Sequence, residues 1–193
     1  MTYAAGLPSW TDLTTTAPEP CRAFYSALFG WVYGESASEY GGYAMAFQQG
    51  RVAAGLAPRP AGAGVPSVWT VYFASDDLEA DAARVQALGG QTVVAPMQVG
   101  EQGHMGVFSD PTGAVFGLWQ SGAHQGAENR DDQGSVVWVE VHTPDSARAA
   151  AFYTALLRAD SVPVPGMDYL QLHRNGEGYA GVMGEEGVAR PAG

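Results

Sequence analysis

Two carboxylates that occupy the same place in two repeats of the chain are the first candidates for chemistry. Asp12 lies two residues after Trp10, and Glu140 lies two residues after Trp138. Residues two apart in a strand point to the same face, so each carboxylate shares a face with an aromatic ring. A carboxylate in an apolar, aromatic cleft has a raised pKa and can act as a general acid or base. The alternative is a structural role, in which the carboxylate accepts a hydrogen bond from an amide of a neighbouring strand or loop and so stabilises the repeat that contains it.

The four histidines are weaker candidates. His104 begins a predicted strand and either binds a ligand oxygen as a neutral imidazole or faces solvent at a turn. His142 shares a strand face with Glu140, and His173 ends a nearby strand. These three residues make a metal site only if the fold brings them together. His124 lies in a polar segment and is expected to be solvated.

The composition excludes several classes of protein. The net charge is −11, and the nine basic residues are all Arg. Because binding to phosphate groups needs clustered cations, neither nucleic acid nor an anionic membrane is an expected partner. No signal peptide is visible and no apolar stretch approaches the roughly 20 residues of a membrane span, so a cytoplasmic location is expected. The sequence contains no phosphate-binding glycine loop, nucleophile elbow or Cys-x-x-Cys pair.

A sequence motif of helix-forming residues occurs twice. The segment Phe24-Tyr-Ser-Ala-Leu-Phe-Gly-Trp31 is matched 128 residues later by Phe152-Tyr-Thr-Ala-Leu-Leu157. Its apolar residues fall at helical spacing, and Gly30 suits a left-handed helix end. A repeat at this distance indicates a duplicated structural unit.

A predicted strand precedes each helix, and a Trp marks the same place in three such strands. Counting seven residues from these Trp residues reaches the expected helix starts, which pairs Trp10 with Ala17, Trp69 with Asp76, and Trp138 with Asp145. The predicted strands cover residues 10–16, 43–48, 52–57, 68–74, 91–95, 104–109, 115–120, 136–142, 168–173 and 179–183. Strand, helix and following strands thus recur three times, and the polar residues 121–134 are interpreted as a linker.

The sequence resembles the vicinal-oxygen-chelate superfamily of glyoxalases, bleomycin-resistance proteins and dioxygenases. The matching segments are Trp10-Thr-Asp-Leu, Phe24-Tyr-Ser-Ala-Leu-Phe-Gly-Trp31, Val52-Ala-Ala-Gly-Leu, Trp69-Thr-Val-Tyr-Phe73, Gly103-His-Met105, Asp110-Pro-Thr-Gly and Trp138-Val-Glu-Val-His. More narrowly, the chain is similar to the two-domain, hydroxylase-like branch, whose members carry two complete domains.

This resemblance implies an α+β fold of tandem βαβββ modules. Residues 1–120 would form one complete domain (modules 1–64 and 65–120) with a curled mixed sheet around a cleft. Residues 121–134 would be the linker, and residues 135–193 a half domain of one module. Because a lone module leaves apolar surface and a strand edge unpaired, we expect either a homodimer through 135–193 or a truncated chain.

The resemblance also implies where a site would lie. The superfamily's metal ligands lie at positions that correspond to about Trp10, Gly55, Trp69 or Thr70, and Gly117, none of which is His, Glu, Gln or Asp. We therefore expect no family metal and no cofactor. The candidate catalytic residues are Asp12 and His104, and the candidate ligand-binding residues, which otherwise serve as core, are Trp10, Trp69, Tyr72, Met97, Met105 and Trp119.

The expected function is binding of a small, aromatic or natural-product-like molecule in an apolar cleft without the family metal. One alternative is a lyase, hydroxylase or dioxygenase-type enzyme, either metal-free or metal-dependent through other ligands. The other is an accessory protein that associates through its half domain.

Overall fold

The computed structural model describes residues 3–59, 67–130 and 132–185. The module boundary expected at residues 64 and 65 and the C-terminal end of the chain lie outside these ranges. None of the helices within them is long and apolar enough to cross a membrane.

The first module follows the predicted order of strand, helix and strands. Its elements are β1 (Pro8–Thr15), α1 (Pro18–Phe29), β2 (Val32–Tyr33), β3 (Ala44–Gln48) and β4 (Arg51–Pro58), with a short 3₁₀ turn at Ser38–Tyr40. Helix α1 begins at a proline, which has no amide hydrogen to leave unpaired. It ends at Gly30, whose φ of 73° lies in the left-handed region that glycine adopts without strain.

The second module has the same order. Its elements are β5 (Val68–Ala74), α2 (Leu78–Ala87), β6 (Gln91–Val99), β7 (Gly103–Ser109) and β8 (Val115–Ser121). The N-cap of α2 is Asp77, whose carboxylate accepts a hydrogen bond from the amide of Ala80. The helix therefore starts one residue later than the count from Trp69 predicts.

The third module repeats the pattern once more. Its elements are β9 (Val139–Thr143), α3 (Ser146–Leu157), β10 (Asp160–Pro163), β11 (Tyr169–Arg174) and β12 (Glu177–Gly184). Strand β10 was not predicted. Strand β9 begins three residues later than the predicted start at Val136, because its hydrogen-bonded ladder with β12 begins at Val139.

The strands form two sheets. The first two modules share an eight-stranded sheet in the order β2-β3-β4-β1-β5-β8-β7-β6, and the third module forms a four-stranded sheet in the order β10-β11-β12-β9. Strand β1 pairs in parallel with β4 and antiparallel with β5. This architecture confirms the predicted α+β fold of tandem βαβββ modules.

Packing between the second and third modules builds the largest core. Phe116 of β8 lies 5.8 Å from Phe152 and 5.7 Å from Tyr153 of α3, measured between ring centroids. Buried residues of α2 and of β12 belong to the same cluster. Helix α1 differs from α2 and α3, because none of its residues is buried.

Candidate functional site

The two faces of the eight-stranded sheet carry different side chains. In the β1–β5 ladder, Trp10 lies opposite Tyr72 and Asp12 lies opposite Thr70. Residues directly opposite each other share a face, so these four lie together on what we call the carboxylate face. Leu13 lies opposite Trp69 and therefore belongs to the other face, which packs against the helices and which we call the helix face.

Asp12 is the only carboxylate among these paired residues, and it is buried, with 8% of its surface exposed. The Tyr43 hydroxyl donates to Asp12 Oδ2 at 3.2 Å and accepts a hydrogen bond from Trp10 Nε1 at 2.9 Å. The Tyr72 hydroxyl is a second hydrogen-bond partner of the carboxyl group. One buried carboxyl group is thus hydrogen-bonded by two phenols, and one of these phenols also accepts a hydrogen bond from an indole.

Burial governs the electrostatics of this group. It raises the pKa of Asp12 from its ordinary value of 3.8 to about 6, and the hydrogen bonds from Tyr43 and Tyr72 offset only part of that rise. Burial also raises the pKa of both tyrosines, and the nearby Asp12 charge raises it further. The phenols therefore remain protonated donors, while Asp12 exchanges its proton near neutral pH.

Two glycines make room for this arrangement. Gly55 lies beside Asp12 in the β1–β4 ladder, and a β-carbon there would overlap the Tyr43 hydroxyl. Gly117 lies beside Tyr72 in the β5–β8 ladder, and a β-carbon there would overlap the Tyr72 ring. Each tyrosine fills the space that a side chain at the facing glycine would need. Tyr72, two residues after Thr70, is thus the counterpart of Asp12 in the second module.

These residues do not fit the divalent metal of the superfamily. Two of the four positions that the resemblance assigns to metal ligands, Gly55 and Gly117, are glycines, and tyrosine side chains occupy the space in front of both. Across the described ranges, no three His, Cys, Asp or Glu side chains come together to hold a metal ion. His173 does not join Glu140 and His142; its ring instead lies 3.1 Å from Gln171 Oε1.

Aromatic side chains line the carboxylate face beside Asp12 and form what we call the aromatic wall. Trp10, Tyr72 and Trp119 form one buried cluster, and Met45 and Met105 pack against it. Met97 lies opposite Met105 at the rim, where half of its surface is exposed. The structure thus brings five of the six candidate ligand-binding residues to the face that carries Asp12: Trp10, Tyr72, Met97, Met105 and Trp119.

Trp69 and His104 lie elsewhere. Trp69 is on the helix face, where its Nε1 donates to the Tyr25 hydroxyl of α1 at 2.8 Å. His104 is exposed and pairs with Gln120, on the face opposite to that of its neighbour Met105. Neither side chain points towards Asp12, because each is one residue out of phase with the carboxylate face.

The segment after β8 contributes a residue that sequence reasoning missed. The His124 ring lies edge-on to Trp10, with 4.4 Å between centroids, and 5.5 Å from Trp119. The Trp119 indole donates to the His124 carbonyl at 3.0 Å, and the amide of Ala127 donates to the carbonyl of Ser9 at 2.8 Å. The segment therefore packs across the end of the aromatic wall. The prediction that His124 is solvated is wrong, because its ring packs against Trp10 and Trp119.

The position of His124 favours the neutral form of its imidazole. Burial lowers its pKa, and the Glu128 charge offsets part of that effect. Its Nε2 atom is shielded from solvent and has no hydrogen-bond partner within the described ranges. An alternation of apolar residues could not have revealed this role, because His124 lies outside any strand.

The third module repeats the arrangement around Asp12 on an open surface. The Tyr169 hydroxyl donates to Glu140 Oε2 at 3.0 Å and accepts from Trp138 Nε1 at 3.0 Å. A β-carbon at Gly181 would overlap that hydroxyl, as at Gly55. Glu140 is exposed, and its pKa is lowered first by the hydrogen bond to His142 and then by those from Tyr169 and Trp138. Although both carboxylates have a Trp-linked tyrosine beside them, their pKa shifts are opposite: burial raises the pKa of Asp12, whereas the hydrogen bond to His142 is the main cause that lowers the pKa of Glu140.

The fold and these paired modules define a member of the vicinal-oxygen-chelate class. A model of the glyoxalase-like domain matches residues 10–119, and the chain belongs to this family. The chain is 40% identical over 159 residues to the putative glyoxylase CFP32 of Mycobacterium bovis. It is 39% identical over 169 residues to the anthracycline biosynthesis protein DnrV of Streptomyces peucetius. These alignments cover 80% of the chain but only 61% and 62% of the two relatives.

Solved structures show the same fold at low sequence identity. The Mn(II)-bound glyoxalase from Novosphingobium aromaticivorans is similar with a TM-score of 0.70 and 17% identity, over 93% of this chain and 62% of that one. The 2,2',3-trihydroxybiphenyl 1,2-dioxygenase from Sphingomonas wittichii is similar with a TM-score of 0.63 and 17% identity, over 94% and 68%. Both similarities concern the fold alone.

Proposed function

We propose that this protein binds a small, planar aromatic molecule that carries a hydroxyl group, on the carboxylate face, without the superfamily's metal. The observation that carries the proposal is the buried Asp12 carboxyl group among the rings of Trp10, Tyr43 and Tyr72. Ligand sites of this kind combine an apolar, aromatic wall with a few placed polar groups that fix orientation.

The hydrogen-bonding capacity of Asp12 specifies the ligand's polar group. An ionised carboxylate offers about four lone-pair sites, and the two tyrosine hydroxyls use two of them. A ligand hydroxyl is a donor that fits the remaining capacity, and charge-assisted hydrogen bonds are the strong ones. The ring bearing that hydroxyl would lie against Trp10, with Met105 and the exposed Met97 as an adaptable rim.

The name of one relative supports an aromatic ligand. DnrV of Streptomyces peucetius is an anthracycline biosynthesis protein, and anthracyclines are hydroxylated polycyclic aromatic molecules. We carry only this chemical class to the present chain, since the alignment covers 62% of DnrV.

A second candidate function is an enzyme that transfers a proton to or from such a ligand. It is favoured by the pKa of Asp12, which burial raises to about 6 and which therefore suits a general acid or base near neutral pH. In this case Asp12 would take a proton from the ligand and return it, with Tyr43 and Tyr72 holding the carboxyl group in place. Both candidate functions use the same residue.

The test is a titration of the purified chain with a hydroxyanthraquinone, followed by Trp fluorescence and calorimetry. We expect saturable binding, and weaker binding of anthraquinone without the hydroxyl. Asp12→Asn should lower the affinity about tenfold, which corresponds to about 1.4 kcal/mol for one charge-assisted hydrogen bond. Glu140→Gln, which changes the equivalent carboxylate of the third module, is the matched control and should leave the affinity unchanged.

Three results would contradict parts of the proposal. Equal affinity of the wild type and Asp12→Asn would remove Asp12 from the site. Stoichiometric divalent metal in the purified protein, with ligand binding lost on chelation, would remove the metal-free part. Conversion of the ligand by the wild type, absent in Asp12→Asn, would establish the enzyme in place of the binding protein.

A further inference from the structure

The residues of the carboxylate-face site are covered by other parts of the protein. Asp12 and the rings of Trp10, Tyr72 and Trp119 are each between 5% and 8% exposed. A ligand that contacts the Asp12 carboxyl group therefore has to displace protein atoms before it binds. Some element around the site must move.

One exposed connection contacts Asp12 directly. It joins β2 to β3, covers residues 34–43, and ends at Tyr43, whose hydroxyl donates to the Asp12 carboxylate at 3.2 Å. Glu35, Ser36 and residues 38–41 of this connection are exposed. Segments with few buried contacts open at a lower free-energy cost than a packed core does. We call this connection the β2–β3 loop.

The tip of the β2–β3 loop meets the opposite end of the same sheet. Strands β2 and β6 are the two outermost strands, yet Tyr40 of the loop lies against Gly100, which follows β6. A β-carbon at Gly100 would lie 2.5 Å from the Tyr40 hydroxyl oxygen, and its three nearest atoms would all belong to Tyr40. The Gly100 carbonyl accepts a hydrogen bond from Gln98 Nε2 at 2.9 Å, which fixes its position. The curled sheet thus closes where the loop touches the β6–β7 turn.

The β2–β3 loop is held together by its own hydrogen bonds. The amide of Ala37 donates to the carbonyl of Tyr43 at 2.8 Å, and the amide of Gly42 donates to the carbonyl of Ala37 at 2.9 Å. Gly41 and Gly42 have φ values of 65° and 86°, in the region that glycine adopts without strain, so the chain can reverse this tightly. The loop can therefore move as one unit, with Tyr40 and Tyr43 together.

The third module provides a comparison within the same chain. Its equivalent connection, between β10 and β11, covers residues 164–168 and contains Met167, which is 58% exposed. Glu140, the counterpart of Asp12 in this module, is also exposed. The burial of each carboxylate thus follows that of the connection in its module.

We propose that the β2–β3 loop is the lid of the carboxylate-face site and that the contact of Tyr40 with Gly100 holds this lid closed. The inference rests on the proposed function, because it concerns how that same site is entered. Opening would lift Tyr43 away from Asp12 and uncover the aromatic wall. Closing over the bound ligand would exclude water, and the hydrogen bond to Asp12 is stronger in the lower dielectric that results.

Exchange of the Trp10 indole hydrogen measures the opening without any ligand. Trp10 Nε1 donates to the Tyr43 hydroxyl at 2.9 Å, so this hydrogen is protected while the lid is closed. In Tyr40→Ala its exchange with solvent deuterium, followed by NMR, should be about tenfold faster, which corresponds to the loss of about 1.4 kcal/mol from the closed state. The Trp119 indole belongs to the same buried cluster but donates to the His124 carbonyl, and its exchange rate should not change.

Two further variants make this test specific. Gly100→Ala should accelerate exchange at Trp10 as Tyr40→Ala does, because its β-carbon meets the Tyr40 ring. The double variant should exchange no faster than Tyr40→Ala alone, since the two changes break one contact. Met167→Ala, in the equivalent connection of the third module, should leave the rates at Trp10 and Trp119 unchanged.

Two results of the exchange experiment would overturn the proposal. Unchanged exchange at Trp10 in Tyr40→Ala would mean that the contact with Gly100 does not hold the loop closed. Equal acceleration at Trp10 and Trp119 would mean that Tyr40 stabilises the whole protein and not a lid.

Ligand kinetics then test the lid at the site itself. In stopped-flow fluorescence with the hydroxyanthraquinone, Tyr40→Ala should bind and release about tenfold faster, with the affinity changed less than about twofold. The affinity is nearly constant because the contact with Gly100 is lost from both the free and the bound closed states. Faster release with unchanged binding would make Tyr40 a ligand contact and reject the lid. If the wild type binds no ligand, the proposed function fails, whereas the exchange at Trp10 still decides whether the loop opens.

Discussion

The hydroxyl group of Tyr43 occupies the space in which a β-carbon at Gly55 would lie. Gly55 is the neighbour of Asp12 in the β1–β4 ladder, so this missing side chain lets the phenol reach the carboxyl group. Tyr169 and Gly181 have the same relationship in the third module. A tyrosine over a glycine, beside a carboxylate, is thus a duplicated feature of this fold.

Gly55→Ala should destabilise the protein by about 2 kcal/mol, because the added methyl group overpacks a buried site. The equivalent change Gly181→Ala should cost less, since Tyr169 is only partly buried and can move towards solvent. Chemical denaturation of both variants measures the difference. Equal costs would mean that burial of the tyrosine does not determine the effect.

The pKa of Asp12 predicts how stability depends on pH. Because burial raises this pKa from 3.8 to about 6, the folded state holds a proton that the unfolded state releases between these values. Asp12 therefore contributes stability below about pH 4 that is lost as the pH rises to about 6, in total roughly 3 kcal/mol.

Comparison with Asp12→Asn isolates this effect. The free energy of unfolding of the wild type, relative to the variant, should fall by roughly 3 kcal/mol between pH 4 and pH 7. Urea denaturation at both pH values is the measurement. Glu140→Gln is the control: the pKa of Glu140 is lowered, so any change on removing that group should have the opposite sign. A parallel pH dependence in the wild type and Asp12→Asn would show that Asp12 does not carry a raised pKa.

The fold could be predicted from the sequence because its signals are local and repeated. The spacing of apolar residues in Phe24–Trp31 and Phe152–Leu157 indicates helices, and the glycine after Phe29 indicates an end. The Trp–x–carboxylate spacing, in β1 and across the start of β9, correctly places Asp12 and Glu140 in equivalent positions, where each carboxylate accepts a hydrogen bond from a tyrosine that is itself bonded to the Trp.

The second module shows where such counting fails. Its helix begins after Asp77, not Asp76, so the residue equivalent to Trp10 is Thr70, and Trp69 lies one position before it. In a strand, a shift of one residue moves a side chain to the other face. Trp69 therefore packs on α1, although an identical residue type in the same apparent place lines the carboxylate face in β1. Sequence spacing alone does not detect a single-residue offset.

The position of His124 could not be predicted for a different reason. That position depends on the contacts of a loop residue with two indole rings. Trp10 is distant in the sequence, and Trp119 is near but belongs to a strand that has ended before His124. A polar, glycine-containing segment has the composition of a linker, whether or not it packs on the sheet. Nothing in the residues from 121 to 134 distinguishes the two cases.

His124→Gln should change the pH dependence of stability in a defined direction. Burial lowers the pKa of His124, so the unfolded state binds a proton more readily than the folded state. The histidine's contribution is then fully present above its ordinary pKa of 6.5 and is lost as the pH falls through that region. The stability of the wild type relative to His124→Gln should accordingly be larger at pH 7.5 than at pH 5.5, about one pH unit on either side of the ordinary value. No change in this difference would mean that the imidazole is solvated.

The motif that occurs in both α1 and α3 allows the same Phe→Ala substitution to be compared in two environments. Phe152→Ala should cost about 3 to 5 kcal/mol, because the ring is 2% exposed and its removal leaves a cavity against Phe116. Phe24→Ala should cost less than about 1 kcal/mol in the same denaturation experiment, since its ring is 58% exposed. Similar costs for both substitutions would mean that the two rings do not differ in burial as the structure shows.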